Sequence, residues 1–566
     1  MLQELKKRGR VEDTVRLDLE PVRIVWTQGA VSGMENLLRM QERQISLTPH
    51  NPAIMETTDK TASILLDFGC EIHGGIRILV WQTSNDKGAK VRIRFGESVS
   101  EAMSDIGGVR NATNDHARRD FITEIGMMSM NSLGETGFRF VRLDLLETGT
   151  LVLKSVLAQL VYKDVPYRGS FQCNDELLNK IWCVGAYTQH LNMQEFVWDG
   201  IKRDRLVWIA DMHPEIMTIR SVFGADPSVK KSLDFIRSET PLPGWINKIA
   251  TYTMWYVIIL YDWCFYTGDW KWVYEQREYL KGISMQLQGL LDKEGKYKLE
   301  KEQCFVDWPS CDNQEVVDAG VKGIHFMALD RLIKLFKVLQ RKNFLQEEYA
   351  EYEEICICLQ EEKERVSGAF RNYQGSKAAA ALCVMAGLED AKKINEEILK
   401  KDGVKGLSTY LGGYILNARA QAGDMVEALD SIKEYWGGML ALGATTFWED
   451  FDIDWMKNAA PIDRFPKEGE VDIHGSYGRY CYIGYRHSLC HGWASGPTSW
   501  LIENVLGIKI VEEGCRTLEI KPNLGNLEWA EGVFPTPLGD VEVKAWKDKN
   551  GETCCKVQSP KEIHIR

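Results

Sequence analysis

The spacing of apolar residues changes period twice along the chain, and nothing else in the sequence constrains its fold as much. Up to about residue 165 the apolar residues fall in short runs rich in Val, Ile, Leu and Phe. Segments 62–68, 75–81, 90–95, 137–146 and 151–161 read as strands, separated by turns such as Ser84-Asn85-Asp86 and Glu147-Thr148-Gly149. The alternation in KVRIRF (90–95) is that of a sheet with one wet face, so a β-sandwich is expected over residues 1–165.

Near Ser170 the period becomes 3.6. Asn174 is placed to cap a helix running to about Gln194, and Asp226-Pro227 joins an N-cap to a proline at the first helical position. Segment 251–267 is apolar and aromatic up to Gly268, after which Asp269 caps the next helix. Further helical patterns cover 316–341, 344–366, 376–386, 389–400, 410–422, 425–435 and 499–506. Helices in sequential hairpins can close into a six-hairpin toroid, an (α/α)6 barrel, expected over 166–507. Its inner helices would be apolar all round, as 254–265 is, and its outer ones amphipathic, as the Glu-rich 344–366 is. After Gly507 the period returns to two, in 517–521, 539–546 and 553–557, with Asn550-Gly551 as a hairpin turn. A small C-terminal β domain is expected over 508–566.

Composition excludes several classes of function. The chain has 566 residues, 44% of them apolar, which rules out disorder as the dominant state. Its 81 acidic residues outnumber 69 Lys and Arg, for a net charge of −12, and no basic stripe points to nucleic acid. No apolar run approaches the ~18 residues of a membrane helix. The charged opening MLQELKKRGRVEDTVRLDLEP has no apolar stretch behind it, so a cytoplasmic location is expected. The 14 Cys include no CxxC pair and read as reduced, mostly buried thiols, with Cys183, Cys264 and Cys383 inside apolar helical patterns. The 18 Trp are numerous enough for some to serve as platforms for a flat, partly apolar ligand such as a sugar ring. The sequence does not set the oligomeric state, and a homodimer is compatible with it.

Two stretches concentrate carboxylates, aromatics and arginine. Residues 198–211 read WDGIKRDRLVWIAD, with Asp199, Asp204 and Asp211; residues 445–455 read TTFWEDFDIDW, with Glu449 among four carboxylates. Two carboxyl groups facing each other across an aromatic-lined cavity are what glycoside hydrolysis requires. One stays protonated to serve the leaving oxygen; the other stays ionised to activate water or attack the anomeric carbon.

The pattern Asp199-x-x-x-Arg203-Asp204-Arg205-x-x-Trp208-x-x-Asp211 resembles the signature loop of the bacterial α-L-rhamnosidases of glycoside hydrolase family 78. The likeness extends to LDFGCEIHGGIR, RFGESVSEAM and GSFQCNDELLNKIW upstream, and to FVDWP, GATTFWEDF and SLCHGWASGP downstream. It implies the same three-part fold, an inverting mechanism, Asp204 as general acid and Glu449 as general base. It further implies that Asp199, Arg203, Trp208 and Asp211 bind the rhamnose ring, with Trp308, Trp448 and His491 lining that subsite. Trp255 either stacks on the ring or packs in the core. The expected partner is a rhamnoside, small or oligosaccharide, with no cofactor and no metal. Many family members carry Glu where this chain has Asp204, one methylene shorter.

Other readings explain less. An aspartate-rich diphosphate site at Glu449-Asp450-x-Asp452-x-Asp454 leaves the flanking β domains unexplained. His474, His487, Cys490 and His491 have irregular spacing for zinc. The alternatives to weigh are a non-catalytic carbohydrate-binding protein and an inverting (α/α)6 glycosidase acting on another sugar.

Overall fold

The structure, a computed structural model, describes residues 1–85, 87–342, 344, 346–480 and 482–566. Asp86 of the expected turn and Leu345 of the expected 344–366 helix lie outside the described residues. Two compact units result. The first comprises Met1–Asp164, His190–Leu206 and Met439–His491; the second comprises Val165–Gln189, Val207–Gly438 and Gly492–Arg566.

Hydrogen bonds join nine strands of the first unit into one sheet. The runs expected at 62–68 and 75–81 are a single strand, Ala62–Thr83, of 22 residues. It pairs antiparallel with Arg23–Gln28, Ser129–Leu145 and Gly149–Lys163. The strand passes so close to its neighbour at Gly74 (φ +147) that a Cβ there would lie 1.9 Å from the Gln159 carbonyl oxygen, so only glycine fits. Ile64, Leu66, Ile76, Ile78, Ile93, Phe95, Phe138 and Leu143 share one apolar core.

The wet face expected from KVRIRF is found only in part. In Ala89–Gly96 the arginines do alternate with Val91 and Ile93, yet Arg94 is buried and donates from Nη2 to Asp144 at 2.8 Å. Arg92 chelates Asp120 at 2.8 and 2.6 Å. Lys90 and Arg92 stay partly exposed while Arg94 is buried in an ion pair, and a period-2 pattern cannot distinguish the two.

The second unit is mainly helical. Helices Ile209–Val222, Ala250–Thr267, Gln314–Lys342, Lys377–Met385, Gly412–Gln421 and Gly496–Trp500 pack each on the next, and the last packs on the first. Ala250–Thr267 is buried on nearly every side, whereas Tyr349–Gly368 buries only Tyr352, Leu359, Glu362 and Val366. The caps are local and follow the sequence: Asp226 accepts from Ser228 N–H, Gly268 is left-handed at φ 78, and Asp269 accepts from Trp272 N–H. The helix Glu176–Asn192 is an exception, since Asp175 Oδ1 caps it at Leu177 N–H and Asn174 instead accepts from Glu528 and Trp529 N–H.

That last contact lies beside a strand pairing. Ser170–Cys173 joins Trp529–Thr536, Gly539–Lys547 and Thr553–Gln558 in a four-stranded sheet, although in sequence it leads into the helices. Gly551, in the turn before Thr553–Gln558, has φ 81, and its N–H donates to the Asp548 carbonyl. A second sheet holds Ile508–Glu512, Thr517–Ile520 and His564–Ile565. The chain is therefore a helical domain with sheet domains before and after it in sequence. Among the described residues no helix is long and apolar enough to cross a membrane. The thirteen described cysteines are thiols, and only six of them are buried. Cys183, expected inside, is exposed, so "mostly buried" is corrected.

Candidate functional site

Three segments of the first unit meet at the carboxylate-rich stretches. The loop after Trp198 closes on itself: Asp199 N–H donates to the Leu206 carbonyl, and Asp199 Oδ1 accepts from Leu206 N–H at 2.9 Å. Within it Asp204 and Arg205 both sit at φ 56, the left-handed region, which costs a non-glycine residue about 1–3 kcal/mol. Contacts to His116 hold this backbone. Asp204 N–H donates to His116 Nδ1 at 3.2 Å, and Arg205 Nη2 donates to the His116 carbonyl at 3.0 Å.

The second segment runs through Trp448 and Glu449 and the third through His487–His491. Glu449 N–H donates to the Ser488 carbonyl and His491 N–H to that of Phe447, while Gly200 bridges to His491. Asp199, Arg203, Trp448, Glu449 and His491 are all buried, and Asp204 is half-buried.

Arg203 is the hub. Its Nη2 lies 2.6 Å from Glu449 Oε1 and its Nη1 3.2 Å from Asp204 Oδ1. Its guanidinium also lies over the Tyr482 ring, 5.3 Å from the centroid. Burial by itself would raise the Glu449 carboxyl. Arg203, His491 and the Ser488 N–H, which donates to Oε2 at 3.0 Å, outweigh it and hold Glu449 below the ordinary carboxylate range. Glu449 is thus ionised at neutral pH. Next to it, burial and the Glu449 charge push Asp450 up to about 6.

A buried charge network underlies the loop. Lys202 Nζ contacts Glu101 at 2.8 Å and Glu97 at 3.1 Å, and donates to the carbonyls of Tyr485 and His487. Burial would lower the Lys202 ammonium, but Glu101 and Glu97 outweigh that and raise it. Burial pushes Glu97 up to about 7. Glu97, Glu101 and His474 are near enough together to suggest a cation site, yet Lys202 already supplies the positive charge to both glutamates. Asp450 N–H donates to His487 Nε2 at 2.8 Å, and burial keeps that imidazole neutral.

The remaining expected residues belong to the second unit. Trp208 is half-buried, edge-on to Tyr252 at 5.9 Å, and precedes the helix that carries buried Asp211. Trp308 is half-buried and edge-on to Phe305 at 5.2 Å. Asp307 beside it is buried, which raises it to about 6. Trp255 is 1% exposed and packs on His213 and Tyr414, at 5.0 and 5.5 Å. His213 continues this network, with Nδ1 2.5 Å from the Tyr414 hydroxyl and Nε2 3.3 Å from Asp262.

Sequence reading missed His116, Lys202 and Tyr482. Lys202 carried a signal: a lysine inside an aspartate- and arginine-rich loop, beside apolar Ile201. His116 carried none, being 88 residues from Asp204 in a polar excursion between two strands.

Comparisons with known proteins bear on the family and the fold. A family model described as the bacterial α-L-rhamnosidase six-hairpin glycosidase domain matches residues 166–505. The crystal structure of a family 78 rhamnosidase of Bacillus sp. GL1 superposes with a TM-score of 0.74 at 19% identity, over 94% of this chain and 55% of that one. A rhamnosidase from Klebsiella oxytoca with rhamnose bound gives 0.65 at 20%, over 86% and 95%. The Streptomyces avermitilis α-L-rhamnosidase complexed with L-rhamnose gives 0.68 at 16%, over 89% and 48%. The chain thus spans about half the length of the Bacillus and Streptomyces proteins. At these identities the likeness is one of fold. No curated protein matches the sequence. Through the match over 166–505, more than half its length, the chain belongs to the bacterial α-L-rhamnosidase six-hairpin glycosidase family.

Proposed function

We propose that this chain is an inverting glycosidase that releases terminal α-L-rhamnose, with Asp204 as general acid and Glu449 as general base. The observation that carries this reading is that one guanidinium, that of Arg203, contacts both carboxyl groups while their surroundings differ. Glu449 is buried and held ionised, as a base must be. Asp204 is more open and faces an imidazole. Glu449 takes a proton from water as the water oxygen attacks the anomeric carbon. Asp204 gives its proton to the glycosidic oxygen, which leaves with the electron pair of the broken C–O bond. Exchange with solvent returns both groups to their starting state.

In this reading Asp199, Arg203, Trp208 and Asp211 hold ring hydroxyls, and Trp308, Trp448 and His491 line the sugar. The burial of Trp255 against His213 and Tyr414 favours packing over ring stacking for that residue. The six helices that pack in a closed cycle support an (α/α)6 toroid as the catalytic body, with domains at 1–165, 166–507 and 508–566.

A panel of p-nitrophenyl glycosides tests the proposal. Hydrolysis of the α-L-rhamnoside, unaffected by EDTA, with β-rhamnose as the first product in proton NMR, is expected. Cleavage of a different glycoside alone would reassign the sugar. Rhamnose binding without turnover would make the chain a carbohydrate-binding protein.

A further inference from the structure

The excursion between the strands Ala89–Gly96 and Asp120–Ile125 reaches the site loops. Asp115 pairs with Arg486 at 2.8 Å, Arg110 donates to Asp472 at 2.8 Å, and Asn111 donates to the Ile483 carbonyl. At its end His116, itself left-handed at φ 65, puts Nδ1 2.8 Å from Asp204 Oδ1. The same Nδ1 faces the Asp204 backbone N–H at 3.2 Å.

An imidazole nitrogen is either a donor or an acceptor, with one in-plane position for either. The Asp204 N–H aimed at Nδ1 makes it an acceptor. An acceptor nitrogen 2.8 Å from a carboxyl oxygen needs the proton on that oxygen, since two lone pairs at this distance repel. From this geometry we infer that His116 is the positioning residue of the general acid. The one lone pair of its Nδ1 is shared between the carboxyl O–H of Asp204 at 2.8 Å and the backbone N–H at the longer 3.2 Å, and so keeps the acid loaded before substrate arrives. The inference rests on Asp204 being the acid. When the glycosidic oxygen replaces Nδ1 as partner, the O–H proton passes to it, and Asp204 is left as a carboxylate. The imidazole side chain is 38% exposed, so solvent protons reload the pair.

Arg203 and Arg205 also bear on this pair. Arg203 Nη1 lies 3.2 Å from Asp204 Oδ1 but shares its charge with Glu449. Arg205 is turned to the carbonyls of His116 and Glu135, 3.5 Å from the Glu135 carboxylate.

The test reads pH profiles. kcat/KM reports the free enzyme and kcat the bound one. In His116→Ala the alkaline limb of kcat/KM is expected about one pH unit lower, with the kcat limb unmoved, because the lost bond favoured the protonated acid. His116→Asn, whose Oδ1 can accept in place of Nδ1, is expected to restore the limb. An alkaline limb that stays or moves upward in His116→Ala overturns the inference. A direct measurement needs no loss of side chain: 15N NMR of histidine-labelled enzyme, with His116 assigned by the Asn variant, is expected to find Nδ1 bare and Nε2 protonated at the pH of maximal activity. A protonated Nδ1 there would equally overturn it. Asp204→Asn separates the two failures: if it keeps full activity on alkyl rhamnosides, the acid itself is misassigned.

Discussion

Arg203 and Glu449 stand 246 residues apart in sequence, and their side chains meet at 2.6 Å in a buried pair. The pair is what lets a carboxylate with almost no contact with water remain charged. Truncating one partner of such a pair exposes the full desolvation cost of the other. In Arg203→Met the Glu449 carboxyl therefore rises. A base is lost when it protonates, so the acid limb of the kcat/KM profile should move to higher pH. Activity at the optimum should fall about 100-fold or more. An unmoved acid limb in a folded variant would mean that Glu449 does not act as the base.

The three aspartates of the first loop should separate by leaving group. General acid help matters most when the departing alcohol is a poor leaving group. Asp204→Asn should lose most of its activity on alkyl rhamnosides and retain relatively more on aryl ones. Asp199→Asn and Asp211→Asn should lose activity on both alike, because in the proposed reading they hold the sugar. A leaving-group dependence in Asp211→Asn and none in Asp204→Asn would exchange their roles.

What the sequence disclosed about this site is what lies near in the chain or has a fixed chemistry. The caps at Asp226 and Asp269 and the stop at Gly268 were legible because each is decided within four residues. Asp175 displaced Asn174 for the reason such predictions slip by one: both are good caps, and Asn174 is taken by a strand far along the chain. Helices such as Ala250–Thr267 and Gln314–Lys342 could be read from period alone. Arg94 could not, because a buried arginine paired with Asp144 leaves the same alternation as a solvated one. Arg203, Asp204 and Glu449 were legible as chemistry, but the guanidinium joining them and the imidazole behind Asp204 are products of folding alone.

Lys202 provides a stability test. Its ammonium neutralises Glu97 and Glu101 inside the first unit. Lys202→Met should cost about 3–5 kcal/mol, seen as a lowered Tm. The double variant Lys202→Met, Glu101→Gln should recover part of that loss, because one of the two orphaned charges is removed with its partner. No recovery would mean that the lysine acts by shape rather than charge.

Asp262 predicts a pH dependence in the second unit. Burial works against its charge, but Arg331, then His213, bring it down to about 2. A depressed folded value gives stability that is complete above the unfolded value near 4 and is lost as pH falls through 2. The wild type should therefore lose up to about 2 kcal/mol between these limits that Asp262→Asn does not lose. Urea titrations at pH 5, 4 and 3 would reveal it; parallel curves for the two proteins would contradict it.

Trp255 should behave as a core residue. Trp255→Ala removes a side chain that is 1% exposed and should cost about 3–5 kcal/mol. Trp255→Phe should retain most of the stability and most of the rhamnose affinity. A fall in affinity with unchanged Tm would instead make the indole a ring platform.

The stretch matched by the family model, 166–505, contains Lys202, Asp204 and Glu449 but none of Glu97, Glu101 and His116. Excised from the chain, it would leave an ammonium without its two counter-charges and a left-handed loop without its strut. The domain that sequence comparison outlines is thus smaller than the body that folds. The loops that carry Asp204 and Glu449 are tenants of the helical segment by sequence, and their foundations are laid in the connection between two strands of the sheet domain that precedes it.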